Sequence, residues 1–309
     1  MEEGEETNSP WKLILSIVSI FIIILLLVGY WFIPFNQINL TEFTASTENS
    51  TQQDAVMQFY ANMRFPESTI SYKIIDCPTL KKDDMESAFS ILAQETNLNF
   101  FPAETNQQIS VTCDSKARVE KGLFIAGEGG PTNITKAGKY NVILNGKVLL
   151  YKESQCPKPN IAIHELLHAI GFAHSNNKNN IMYNFSSCSQ EITQTTINKI
   201  NKLYSIPTHQ DLLVEKAKAT LKGKYLNLNI SIRNNGLKSS TPGTIKIYVD
   251  NKEIKKLAIE SIKIGYGKII TLTNLWVAQF NINEIKVKIE SSSPDLNNTN
   301  NQIVLKVQK

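Results

Sequence analysis

The sequence predicts an α+β domain followed by an all-β sandwich, with a single membrane-spanning helix ahead of both. Three observations predict this. Leu13 to Ile33 runs 21 residues without a charge. Between residues 65 and 207, strand patterns and an amphipathic helix pattern lead to a helix rich in histidine. From about residue 223 the chain is all strand and turn, with apolar residues at alternate positions.

At about 1.5 Å per residue, the uncharged run makes roughly 30 Å of helix, enough to cross a bilayer. A cleaved signal peptide is the rival, and it calls for a basic start, a shorter apolar core and a small-residue cleavage site. Here the flanking residues Glu2, Glu3, Glu5 and Glu6 are acidic, the core is long, and it closes on Gly29-Tyr30-Trp31-Phe32-Ile33-Pro34. Trp11, Tyr30 and Trp31 suit the two membrane interfaces, so an uncleaved anchor over 11–33 is the favoured reading. Lys12 precedes the span, and no Lys or Arg follows it until Arg64, which puts residues 1–10 in the cytoplasm and the remainder outside the cell. Six Asn-x-Ser/Thr sequons, at Asn39, Asn49, Asn133, Asn184, Asn229 and Asn297, all fall on the outer side. Residues 34–64 are polar and read as a tether, with a short helix over Gln52–Met63 leading in. The formal charge of +4 is spread unevenly, with 16 Lys/Arg against 8 Asp/Glu in 211–309. No nucleic-acid partner is expected.

Within 65–207, Ile70–Ile75 alternates as a strand, Lys81–Thr96 reads as an amphipathic helix, and Ile109–Cys113 is a short strand. Asn141–Leu144 and Lys147–Tyr151 flank Asn145-Gly146, a strong hairpin signal. Gly127–Thr135 is glycine-rich and lacks a clear strand pattern.

The chain has four histidines, and three lie in the run His164-Glu165-Leu166-Leu167-His168-Ala169-Ile170-Gly171-Phe172-Ala173-His174. His164 and His168, four apart, share one face of a helix and can bind one Zn²⁺ through neutral ring nitrogens. Glu165 can reach a water on that metal without ligating it. Gly171 can stop the helix and turn the chain, because glycine tolerates positive φ. The turn brings His174 back as a third ligand and leaves a fourth position open, the mark of a catalytic site. The bland alternative is a buried apolar helix that happens to carry histidines, but five fixed positions match the longer HExxHxxGxxH pattern.

On these residues the sequence resembles the metzincin metallopeptidases, and among them the matrixins. Ser175 follows the third histidine, and Met182 stands eight residues beyond it, at the matrixin spacing for the Met-turn. Ile181-Met182-Tyr183 is similar to the family's Leu-Met-Tyr, with Asn184 where proline is usual. The resemblance covers about 65–205 and implies a mixed sheet with an active-site helix. It also implies one catalytic Zn²⁺ on His164, His168 and His174, Glu165 as general base, and Met182 as the hydrophobic floor. Gly127–Thr135 becomes by the same resemblance the edge above the cleft, a plain surface loop being an equal alternative. Tyr183 directly follows the methionine, so it takes no zinc-contacting role.

Cys77, Cys113, Cys156 and Cys188 form an even set in the part expected outside the cell. Of three possible pairings, Cys77–Cys113 and Cys156–Cys188 are favoured, and no pair has the spacing of a zinc-binding CxxC. Residues 208–222 read as a charged linker. Beyond it, Leu226/Leu228/Ile230/Ile232, Ile245/Ile247/Val249, Ile285/Val287/Ile289 and Ile303/Leu305/Val307 alternate as strands of a sandwich over 223–309. Ile230–Gly236 and Asn297–Asn301 resemble the immunoglobulin-like CARDB family of cell-adhesion-related domains. Lys286 and Lys288 read as a solvated face rather than a polyanion site. Asp295 is the lone carboxylate of the Asn-rich loop, so no calcium site is claimed there. The function expected is a membrane-anchored extracellular zinc endopeptidase acting on protein or peptide, with a possible cell-surface partner for the sandwich. The rivals are an adhesion protein with an inactive zinc domain, and an exopeptidase. All residues needed for chemistry precede Tyr204.

Overall fold

The computed structural model describes residues 58–116, 118–120, 123–222, 224–278 and 282–306, with Trp11, Val18 and Phe21. Among the described residues no helix is long and apolar enough to cross a membrane. The expected tail over 1–10, nearly all of the anchor over 11–33, and the tether up to residue 57 lie outside them. The chain divides into two units, Met1–Thr51 and Gln52–Lys309, and among the described residues the sheet structure belongs to the second.

The first domain is a mixed six-stranded sheet covered by helices. Its elements are β1 (Met63–Arg64), β2 (Thr69–Ile75), α1 (Thr79–Glu95), β3 (Asn99–Pro102), β4 (Ile109–Cys113), a small ribbon of β5 (Arg118–Glu120) and β6 (Leu123–Ile125), β7 (Gly127–Ala137), β8 (Tyr140–Leu150), α2 (Asn160–Ala169) and α3 (Gln194–Tyr204). The sheet runs β1-β8-β4-β2-β3, and β7 adds antiparallel to β8. The β1–β8, β8–β4, β4–β2 and β2–β3 pairs are parallel. α1 buries Met85, Ala88, Phe89 and Leu92 at helical spacing, and the ring of Phe89 stacks on Tyr72 of β2 at 4.0 Å. These residues join Ile109, Val111 and Val148 of the sheet and Leu166, Leu167 and Ile170 of the histidine helix in one core.

Two expectations give way here and one open alternative is decided. Asn145-Gly146 makes no hairpin: β8 runs straight through it, and the reversal occurs at Gly138 (φ +54), between Ala137 and Tyr140. Gly146 has another use. A β-carbon there would lie 3.0 Å from the carbonyl oxygen of Ala169, so its absence lets α2 pack close on the strand. Of the two readings of the glycine-rich stretch, the edge strand holds: it is β7, with register shifts against β8 around Asn133. The last part of the expected tether, residues 58–64, is folded against the domain and ends in β1, with no helix over its described residues.

Both favoured disulfides form: Cys77–Cys113 joins the end of β2 to the end of β4, and Cys156–Cys188 brackets α2 and the chain beyond it.

The second domain is a sandwich of two sheets. β9 (Leu212–Lys222), β10 (Tyr225–Asn234) and β13 (Gly267–Trp276) form one. β11 (Gly243–Val249), β12 (Lys252–Ile259), β14 (Glu284–Ser291) and β15 (Gln302–Lys306) form the other. The expected alternation holds: Leu226, Leu228, Ile230, Ile232, Ile245, Ile247, Val249, Ile285, Val287 and Ile289 are all buried between the sheets, while Val307 lies outside the described residues. The linker expected over 208–222 is instead strand β9, antiparallel to β10 and burying Leu212 and Val214. Its Lys and Glu residues read as linker composition, but they occupy the outer face of a half-buried strand.

The two domains pack directly. Ala137, Tyr140 and Val142 of the β7–β8 hairpin share a buried cluster with Leu237 of the sandwich. Arg64, 1% exposed, donates from its guanidinium to the carbonyls of Leu203 and Ile206 and so caps the end of α3. Thr208 Oγ1 donates to the Pro66 carbonyl at 2.8 Å.

Candidate metal centre and active-site cleft

α2 ends at Ala169, Ile170 caps it, and Gly171 takes φ +101. Only glycine suits this position, because the Met63 side chain fills the space where a β-carbon would sit, 2.6 Å from Met63 Cγ. The reversal brings His174 to the two helical histidines. His168 Nε2 and His174 Nε2 stand 3.2 Å apart, and one nitrogen from each of the three rings lies within 4.8 Å of the others.

The far sides of two rings are already committed. His164 Nδ1 donates to the Ile181 carbonyl and His168 Nδ1 to the Phe172 carbonyl, each at 2.7 Å. A carbonyl can only accept, so both imidazoles carry their proton on Nδ1 and present a bare Nε2 lone pair inward. With the His174 proton also on Nδ1, its Nε2 turns a third lone pair inward, and a cation between the three would satisfy them all. Three neutral imidazoles with this geometry fit zinc. Burial, with smaller contributions from neighbouring histidines, lowers His164 to about 4 and His168 to about 3, and burial also lowers His174. His164 and His168 therefore stay in the ligating form well below the ordinary histidine range, and His174 is shifted in the same direction.

Glu165 is 6% exposed and raised to about 8, first by burial and then by the nearby Glu128 carboxylate. Gly127 and Gly129, alternate residues of β7, lie flat on the helix at this point. A β-carbon on Gly127 would come within 2.6 Å of Glu165 Cγ, and one on Gly129 would overlap the Glu165 carbonyl oxygen. Between them Glu128 accepts from Tyr151 Oη at 3.0 Å and is paired with Arg118. Gly127, Glu128, Gly129 and Glu165, with the three histidines, Lys147 and Asn184–Ser186, line a cleft of about 710 Å³.

Met182 is 2% exposed in the core, in the turn whose Ile181 carbonyl holds His164. Its amide donates to Asn180 Oδ1 at 2.8 Å, and its carbonyl accepts from the Ser175 amide at 2.8 Å, so the turn is tied to the chain beside His174. Tyr183 packs its ring against Phe185. Every residue expected at the centre is thus brought to it or to the turn behind it. Sequence reasoning missed the fit of Gly127 and Gly129 on Glu165, and missed Glu128 altogether. The Gly-x-Gly alternation was the available signal, but without β7 paired to β8 nothing tied it to the helix.

Residues 64–205 match the family model for Matrixin, and residues 209–304 match that for CARDB. No curated protein matches the chain. Among solved structures, the CARDB domain of a Pyrococcus furiosus protein, described in complex with di-metal ions, is 17% identical with a TM-score of 0.28, over 32% of this chain and 87% of that one. A domain from Methanosarcina acetivorans is 16% identical with a TM-score of 0.28, over 33% of this chain and 94% of that one. The family likeness is twofold: the first domain is similar to Matrixin, which points to a metallopeptidase, and the second to CARDB, which points to a cell-surface domain.

Proposed function

We propose that the chain is a zinc endopeptidase held on the outer face of a membrane. One observation carries the reading: three imidazoles, two of them with inward lone pairs fixed by their Nδ1 hydrogen bonds, converge in a cleft that also holds the buried carboxyl of Glu165. His164, His168 and His174 would hold the ion, and Zn²⁺ there supplies Lewis acidity toward a scissile carbonyl and toward water. Glu165 takes a proton from water and delivers it to the leaving amine. Its carboxyl lines the same cleft as the three imidazoles, within reach of both transfers. Among the described residues β7 pairs on one side only, with β8, so its other edge can accept an extended peptide as an added strand running past the site. That favours internal cleavage of a protein or peptide chain. The anchor over 11–33, the outward sequons and the two disulfides support a place outside the cell, with the sandwich available to a surface partner.

The test compares wild type with Glu165→Ala against an unbiased peptide library. Alanine keeps the helix and all three imidazoles. Zinc content should stay at the wild-type level while hydrolysis falls by about 10²–10⁴-fold. A zinc-loaded, disulfide-bonded wild type that cleaves nothing in the library would leave the adhesion reading in its place.

A further inference from the structure

The chain enters the first domain by wrapping around the turn that follows the histidine helix. Gln58 bridges Phe172 in antiparallel register, and the Phe59 amide donates to the Gly171 carbonyl at 3.1 Å. Asn62 takes φ +53, which lets the segment double back. Gln58 Nε2 closes the loop on the Met63 carbonyl at 2.7 Å, and Met63 fills the space beside Gly171. The segment is also fixed to the sheet, where Asn141 Nδ2 donates to the Ala61 carbonyl at 2.7 Å. On this scaffold the Phe59 ring stacks on the His168 imidazole, centroids 5.6 Å apart and planes 24° from parallel.

We propose that residues 58–63 are a positioning element for the metal ligand His168, with Phe59 as its working side chain. The proposal rests on the zinc reading of the three histidines, but not on peptide hydrolysis. Besides its edge contacts with His164 and His174, two contacts from outside the histidine cluster set the plane of the His168 ring. Its Nδ1 hydrogen bond to the Phe172 carbonyl fixes one edge, and that carbonyl belongs to the turn that Gln58 and Phe59 clasp. The Phe59 ring fixes the face. Without them the imidazole can rotate about its side-chain bonds, and the inward nitrogen loses its aim. Phe59 is 43% exposed and is not part of the buried core, and its ring contact is with the histidine. The segment where the tether meets the domain is therefore part of the metal centre's support.

The experiment measures metal affinity in the full chain, by zinc competition with a chromophoric chelator and by the visible spectrum of the Co²⁺ form. Phe59→Ala should weaken zinc binding by about 10–100-fold, the usual cost of removing a group that orients a ligand. It should also alter the Co²⁺ spectrum. Phe59→Trp restores a stacking ring and should recover most of the affinity. Tyr60→Ala removes an exposed ring of the same segment that stacks on no ligand, and should leave affinity unchanged. If Phe59→Ala fails to fold, Phe59→Leu keeps apolar bulk without a ring and is read the same way. Wild-type zinc affinity and an unaltered spectrum in the folded ring-less variant would overturn the proposal, as would equal loss in Tyr60→Ala. A wild type that binds zinc but cleaves no peptide overturns the peptidase reading and leaves this one standing.

Discussion

Glu165 and His168 stand three residues apart on one helix, and burial moves their proton equilibria in opposite directions. Glu165 is raised from 4.5 to about 8, so in the metal-free chain the stability it contributes is complete below pH 4.5 and is lost as pH rises through 8. His164 and His168 are depressed from 6.5 to about 4 and about 3, with His174 shifted the same way. Their contribution is complete above pH 6.5 and is lost as pH falls toward 4 and 3. Between 4.5 and 6.5 three imidazoles outweigh one carboxyl. The melting temperature of the chelator-treated protein should therefore peak near pH 6.5 and fall on both sides. Glu165→Gln should abolish the alkaline limb alone. A melting temperature that does not change between pH 5 and pH 8 would contradict these assignments.

At the scale of elements, β7 and α2 meet without side chains between them. The two backbones approach so closely at Gly129 that a methyl group has no room beside the Glu165 carbonyl, and backbone cannot move aside as a flexible side chain can. Gly129→Ala should cost about 1–3 kcal/mol in urea denaturation, the usual penalty of overpacking, and should lower peptide hydrolysis by lifting the edge strand. Gly130→Ala is the matched control. A β-carbon there meets nothing within 4 Å, so stability should hold within about 0.5 kcal/mol. The disulfide Cys156–Cys188 acts at the same scale. It closes a 32-residue interval around α2 and the Met182 turn. Replacing both cysteines by alanine should destabilise the domain by roughly 3–4 kcal/mol in the chain-entropy account, read from denaturation of the zinc-loaded chain.

At the scale of the molecule, the sandwich supports the hairpin whose strand β7 covers Glu165. Leu237 is fully buried against Ala137, Tyr140 and Val142, and Gly265 presses on Lys136 and Thr135 with no room for a β-carbon. The sequence, with its chemistry complete by Tyr204, points to a first domain that acts alone. The packing argues otherwise. Deleting 211–309 should expose this apolar surface, lower the melting temperature of what remains, and reduce hydrolysis even of short peptides. Leu237→Ala in the full chain should reproduce part of the loss, about 2–5 kcal/mol for a buried leucine. Unchanged stability and activity in both variants would mean the sandwich is a passenger.

The three converging histidines, Glu165 beside them, the two domains, the alternating strands of the sandwich and the favoured cysteine pairs were legible in the sequence. Apart from the cysteine pairs, which were favoured among three possibilities, each is encoded in local spacing or composition: His164 and His168 one helical turn apart, Gly171 three residues beyond His168, Ile and Leu at every second position. The tertiary structure decided what depends on partners distant in the chain. Asn145-Gly146 carries the residues of a turn, yet it lies inside β8, because the strand has β4 on one side and β7 on the other and α2 needs the glycine's missing side chain. The glycines of β7 gain their meaning from Glu165, and the charged residues of 212–222 gain theirs from β10. Phe59 lies 109 positions ahead of the histidine it faces, and no pattern in its neighbours points there. A short-range pattern specifies what a residue can do, and long-range packing, which sums many weak contacts over the whole fold, selects what it does.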